Sequence, residues 1–164
     1  MSPAPLTFLK TGDKAGLIGV HNFSTATMMG STKVPSAVTA IAWQENRTEM
    51  EDQILYVGCQ TGELHWFKLD NKGAVFTPLG SATLTGAAIT SIQWRAQHTH
   101  QWCMPSLLIS QMRAPTRLLS IQYNSQTEQQ LLEVHASFPP APQASYIRST
   151  FCPLISNRSD NCIV

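Results

Sequence analysis

The sequence predicts an all-β fold built from a repeated unit, and three observations carry that prediction. Runs rich in β-branched and aromatic residues recur along the 164-residue chain, bounded by Gly, Pro, Asn, Ser and Thr. Their lengths suit strands rather than helices. No segment sustains a helical apolar period with caps at both ends. The chain also resembles itself at fixed offsets.

The predicted strands follow in chain order. Residues 37–43 end a small-and-apolar run on Trp43, and 54–59 form an almost continuous apolar run. Residues 63–69 alternate around Trp66, and 88–94 close on Trp94. After a long polar loop come 106–111, 117–124 and 130–138. The stretch 127–134 is rich in Glu, Gln and Leu but too short to require a helix.

Two registers of self-similarity organise these strands. Val38-Thr39-Ala40-Ile41-Ala42-Trp43 and Ile89-Thr90-Ser91-Ile92-Gln93-Trp94 share one pattern 51 residues apart. Ile147-Arg148-Ser149-Thr150-Phe151 is a degenerate third copy, 58 residues further on. Leu9-Lys10-Thr11-Gly12 followed by Gly16-Leu17-Ile18 returns 46 residues later as Leu55-Tyr56-Val57-Gly58 followed by Gly62-Glu63-Leu64. Strand, glycine, short loop, second glycine and strand describe a tight hairpin. The run ending in an aromatic adds a third strand and the segment around 75–79 a fourth. Four strands in a unit of about 40–50 residues is the signature of a propeller blade. A β-sandwich spaces short strands similarly and is the alternative.

The segment from Ile54 to Leu69, with Trp66 where the family's Trp commonly sits, resembles the middle two strands of a WD repeat. Ser106–Ile109, Leu118–Tyr123, Ser137–Pro139 and above all Ile147–Ser156 resemble the same family; Asn22–Thr25 does so more weakly. The family's Gly-His and Trp-Asp pairs are missing, and Thr61 stands where a turn Asp is usual. The resemblance implies an incomplete WD-repeat propeller of about two whole blades plus parts of two flanking ones. The expected division is 1–34 as the end of a blade, 35–87 and 88–143 as blades, and 144–164 as the start of another. Because closed propellers have at least four blades, the chain is expected to be a piece of a longer propeller.

Composition narrows the function. Apolar residues make up 43%, enough for a core, whereas charged residues are 13%, about half the usual share. Eleven basic and ten acidic side chains leave a net charge of +1, which argues against nucleic acid as the main ligand. No export signal or membrane-length apolar run is visible, so Cys59, Cys103, Cys152 and Cys162 read as reduced thiols in an intracellular protein. The Asn-x-Ser/Thr matches at Asn22, Asn46 and Asn157 then carry no meaning. The family resemblance implies a largely nuclear protein, with the cytoplasm the other compartment; no basic localisation cluster is present.

Candidate chemistry is sparse. His98 and His100, with Cys103 close by, could share one face of a strand around zinc, but structural zinc prefers four ligands and no fourth is evident. Cys59, Cys103 and Cys152 lie in no glycine elbow, so packing explains them better than nucleophilic catalysis. Gly12–Gly19 lacks the Lys-Ser/Thr of a phosphate loop. Glu45, Glu49, Glu51 and Asp52 read as a solvated acidic loop. Trp43, Trp94 and Phe151 occupy equivalent repeat positions and read as packing; Trp102 has no counterpart and reads as a contact residue.

The sequence therefore points to a non-catalytic protein–protein interaction scaffold with no cofactor, metal, small-molecule substrate or membrane partner. Its partner-binding residues are expected where loops break the repeat: Gln60, Thr61, His98, His100, Trp102, Met112, Arg113 and Arg117. Two alternatives stay open. One is a phosphopeptide or nucleic-acid reader using Arg95 with Arg113 and Arg117, which flank 114–116 in an expected hairpin turn. The other is a metal- or cysteine-dependent enzyme.

Overall fold

The computed structural model describes residues 8–44, 53–70, 72, 74–95, 105–124, 129–140 and 147–151. Eleven strands lie within them: β1 (Phe8–Gly12), β2 (Leu17–Asn22), β3 (Thr27–Lys33), β4 (Val38–Gln44), β5 (Gln53–Cys59), β6 (Glu63–Leu69), β7 (Phe76–Thr83), β8 (Ile89–Arg95), β9 (Ser106–Gln111), β10 (Ala114–Asn124) and β11 (Gln129–Phe138). They form three antiparallel sheets in simple sequential order: β1-β2-β3, β4-β5-β6-β7 and β8-β9-β10-β11. We refer to these as sheets 1, 2 and 3.

Alternation decides how the sheets stack. Along β2, Ile18 and Val20 are fully buried and face sheet 2 with Val34. Leu55, Val57, Cys59, Phe67 and Leu69 answer from sheet 2 to make one apolar seam. The opposite pleat of sheet 2 supplies Tyr56, Leu64 and Trp66 to a second seam, against Ile89, Ile92, Leu107, Ile109, Leu119 and Ile121 of sheet 3. Sheets 2 and 3 touch most closely through β4 and β8, the first strand of each sheet, here called its inner strand after the propeller arrangement expected above. At the second seam Gly58 lets the backbone close on Ile89, since an added Cβ would sit 2.5 Å from its Cγ2.

Beyond sheet 3 the pattern continues in polar form. Residues 147–151 lie alongside β8, with Thr90 Oγ1 donating to the Ile147 carbonyl and Thr150 Oγ1 donating to Gln93 Oε1 at 2.8 Å. Ser110 replaces the glycine of the equivalent position in sheet 2. Its hydroxyl lies 2.9 Å from that of Ser149, and Thr116 Oγ1 lies 3.2 Å from the same Ser149 oxygen. All three side chains are buried. Apolar seams thus join sheets 1, 2 and 3, while a hydroxyl seam joins sheet 3 to 147–151.

Most expected strands stand where the sequence places them, and 63–69 and 106–111 match residue for residue. One expectation is corrected. The turn before β10 is Met112–Arg113, not 114–116, because β10 already begins at Ala114. Pro115 falls at a register irregularity between Ala114 and Arg117, the position a residue without an N–H tolerates. Sequence reading also gave no separate strand for 27–33. Both faces of β3 are largely exposed, so it lacks the alternation that marks a half-buried strand.

Candidate functional site

The hairpin turns between the second and third strands of successive units project from one end of the sheets. Sheet 1 presents Asp13–Gly16, sheet 2 Gln60–Gly62 and sheet 3 Met112–Arg113. Each turn is rooted in the segment that enters an inner strand. Val38 N donates to Asp13 O at 2.9 Å, Gln60 N to Ala37 O at 2.9 Å, and Met112 N to Ala88 O at 2.8 Å. The turns are therefore held by backbone bonds, while their side chains stay exposed: Gln60, Thr61, Met112 and Arg113 all face solvent. Thr61 Oγ1 lies 3.3 Å from Glu63 Oε2, across the turn.

Backbone angles separate the third turn from the first two. Gly16 and Gly62 take φ of 80° and 83°, a left-handed conformation natural to glycine. Arg113 takes φ of 54° in the third turn, although a side chain there costs about 1–2 kcal/mol. At the 52-residue offset that equates Gln111 with Cys59, Arg113 stands where sheet 2 has Thr61 and Ala114 where it has Gly62, so the shorter third turn places the left-handed backbone on an exposed arginine.

Behind that turn lies a brace. The Gln111 amide is fully buried; its Nε2 donates to Thr85 Oγ1 at 2.7 Å and to Ala87 O at 2.9 Å. Its Oε1 accepts from Arg117 Nη1 at 2.8 Å. All three polar functions of the amide are used, as burial demands. Arg117 is therefore half-buried and tied to the brace rather than turned outward with Arg113. The glutamine stands where sheet 2 has Cys59, and that mismatch in the repeat was the only sequence signal for it.

Arg95 lies elsewhere again. It ends β8 opposite Ser106, at the other end of sheet 3 from the Met112–Arg113 turn, with its guanidinium 5.4 Å from the centre of the Phe151 ring. The structure thus brings Gln60 and Thr61 to the same end as Met112 and Arg113, but spreads Arg95, Arg113 and Arg117 over separate places. His98, His100, Trp102 and Cys103 fall in 96–104, outside the described residues, as do the acidic residues of 45–52 and Cys152 and Cys162. Among the described residues no cluster of three His, Cys, Asp or Glu side chains could hold a metal ion. Among them, too, no helix is long and apolar enough to cross a membrane.

Repeat-equivalent aromatics pack as expected. Trp43 borders the first seam beneath the Lys10 ammonium, 3.5 Å from its ring centre, and Trp94 borders the second. Cys59 is fully buried in the first seam, and desolvation with the nearby Glu63 carboxylate pushes its thiol from 9.0 up to about 11. Alkylation mapped to the Cys59 peptide is expected to be very slow at neutral pH and fast after unfolding. The raised value also fixes a sign. The stabilisation from the neutral thiol is complete below about pH 9 and lost as pH rises through about 11. Rapid native-state labelling of Cys59 would contradict both statements.

No protein-family model matches the sequence. Solved structures do match the fold. Kluyveromyces lactis Hsv2 aligns with a TM-score of 0.59 at 15% identity, over 80% of this chain and 43% of that one. A second structure, titled Kluyveromyces lactis Hsv2 complete loop 6CD, gives 0.56 at 15% identity over 80% and 44%. Kluyveromyces marxianus Hsv2 gives 0.53 at 15% identity over 79% and 44%. The chain spans less than half the length of these β-propellers. Three stacked antiparallel sheets and that likeness together make the fold an incomplete β-propeller: two whole four-stranded blades with parts of two flanking ones.

Proposed function

We propose that the chain is a non-catalytic interaction scaffold that binds protein partners through the turn end of its blades. Arg113 is the observation that supports this most directly. It is exposed, beside Met112, and keeps a left-handed backbone where glycine would relieve the cost. A charged side chain at such a position fits a contact role better than a folding role. Resemblance of 106–109, 118–123 and 147–156 to WD repeat-containing protein 13 supports the same reading and suggests a largely nuclear setting. Gln60 and Thr61 share the turn end with Arg113, and Arg117 supports it from behind through Gln111. His98, His100 and Trp102, which follow β8 in the sequence and lie outside the described residues, would serve a second contact.

The test separates charge from shape. Arg113→Gly is expected to raise stability by about 1 kcal/mol in urea unfolding while weakening partner capture. Arg113→Glu with Met112→Ser should abolish that capture, and Trp102→Ala should leave it intact. Partners retained by the Arg113→Glu, Met112→Ser variant but lost with Trp102→Ala would move the site away from the turn end.

A further inference from the structure

We infer that the turn end receives an extended acidic peptide, whose carboxylates meet Lys14 and Lys33 on one side and Arg113 on the other. The inference rests on the turn end being the contact surface and adds the chemistry of the partner. Lys14 lies in the Asp13–Gly16 turn. Lys33 joins it from β3, opposite Leu17, where Val34 N donates to Gly16 O at 2.9 Å. Arg113 stands in the turn of sheet 3, and all three residues are exposed.

Charge at this end is unbalanced in a specific way. Among the described residues, the side chains of Lys14, Lys33 and Arg113 have no hydrogen-bond or ion-pair partner. Of the other described Lys and Arg side chains only Lys72 shares that state, and it lies after β6, at the opposite end of sheet 2. The described carboxylates, by contrast, are all occupied. At the turn end Asp13 accepts from Ala15 N at 2.8 Å and Leu17 N at 2.9 Å. Glu63 lies 3.3 Å from the Thr61 hydroxyl and 3.5 Å from His65 Nε2. Elsewhere Asp70 accepts from Ala74 N at 2.7 Å and Val75 N at 3.0 Å, and Glu133 from Gln122 Nε2 at 2.9 Å. The acids serve the fold, whereas these three cations do not. A bound anion supplies the counter-charge they lack.

Spacing selects the form of that anion. Sheet 2 separates the two cationic turns, so at ~10 Å per sheet spacing they stand roughly 20 Å apart, about six residues of extended chain. A nucleic-acid strand carries a charge about every 3.4 Å and would meet uncharged turn over most of that span. A peptide with carboxylates towards both ends matches it. Between the cations lies Gln60, exposed and with no side-chain hydrogen bond among the described residues, so its amide can both donate to and accept from a peptide backbone. Beside Arg113, the 39% exposed Met112 offers an adaptable apolar contact next to the carboxylate.

The probe is a fluorescein-labelled octapeptide with two glutamates at each end and a leucine inside one pair, titrated with the full 164-residue chain. Fluorescence anisotropy is expected to show binding at low salt that weakens as salt rises, because exposed charges are screened. The same peptide with glutamine for glutamate should not bind. Lys14→Glu with Lys33→Glu should weaken binding by about tenfold, as should Arg113→Glu, and Lys14→Gln with Lys33→Gln by about threefold. Lys72→Glu, at the opposite end, should leave it within about twofold. An equal loss with Lys72→Glu would make the effect one of net charge and overturn the inference, as would tighter binding of a short DNA duplex. Absence of binding overturns it too. If partner capture is then still lost in the Arg113→Glu, Met112→Ser variant, the contact surface stands without its acidic partner; if capture is unaffected, both readings fall.

Discussion

Replacing Trp66 with alanine is expected to lower the unfolding free energy by about 3–5 kcal/mol. The indole is 5% exposed and lies in the seam between sheets 2 and 3, within the cluster that includes Tyr56, Leu64, Ile89 and Ile92. Truncation would remove an aromatic from the middle of that seam and leave a cavity between two relatively rigid sheets. Trp66→Phe should recover most of the loss. It fills much of the same space and removes an Nε1–H that is buried without a hydrogen-bond partner. Urea midpoints for the two variants decide the matter. Equal losses for both would mean that the indole nitrogen, not ring volume, holds the seam.

Gly62→Ala carries the next largest expected effect, about 3–4 kcal/mol. Its φ of 83° imposes the left-handed cost on any side chain. An added Cβ would overlap the Thr85 carbonyl oxygen and approach the Ala87 oxygen to 2.7 Å. That segment cannot retreat easily. Leu84 N donates to Gly62 O at 3.2 Å, and the Gln111 amide holds both Thr85 and Ala87. Gly86→Ala, in the same segment, has open space around it and should be close to neutral. A small effect at Gly62 with the same change at Gly86 would show that the segment yields.

The contrast between those two glycines shows what was legible in the sequence. Gly16 and Gly62 recur at one offset, so their turn role could be read directly. Gly86 belongs to no repeat. Strands β5 and β6 of sheet 2 were readable, because their two faces enter two different seams and their apolar pattern is dense. The outer strand β3 was not, since partial exposure dilutes its pattern, whereas β7 was read as the segment around 75–79 but runs on past Pro78 to Thr83. At the candidate site, Met112 and Arg113 were visible as departures from the repeat. The left-handed backbone at Arg113 was not, because nothing in its neighbours demands it. Nor was the inward turn of Arg117, which depends on Gln111 being buried, and a glutamine in a chain rich in glutamine draws no notice.

The hydroxyl seam beyond sheet 3 sets the order in which the array comes apart. Ser110, Thr116 and Ser149 trade a protein hydrogen bond for a water hydrogen bond at little net cost, whereas the two apolar seams lose their contacts outright when water enters. Residues 147–151 are therefore the part that peels away first under mild denaturant or tension, leaving sheets 1 to 3 intact behind them. In a fold stacked unit by unit this seam is a reversible latch: it can open and reclose without the molecule passing through an unfolded state.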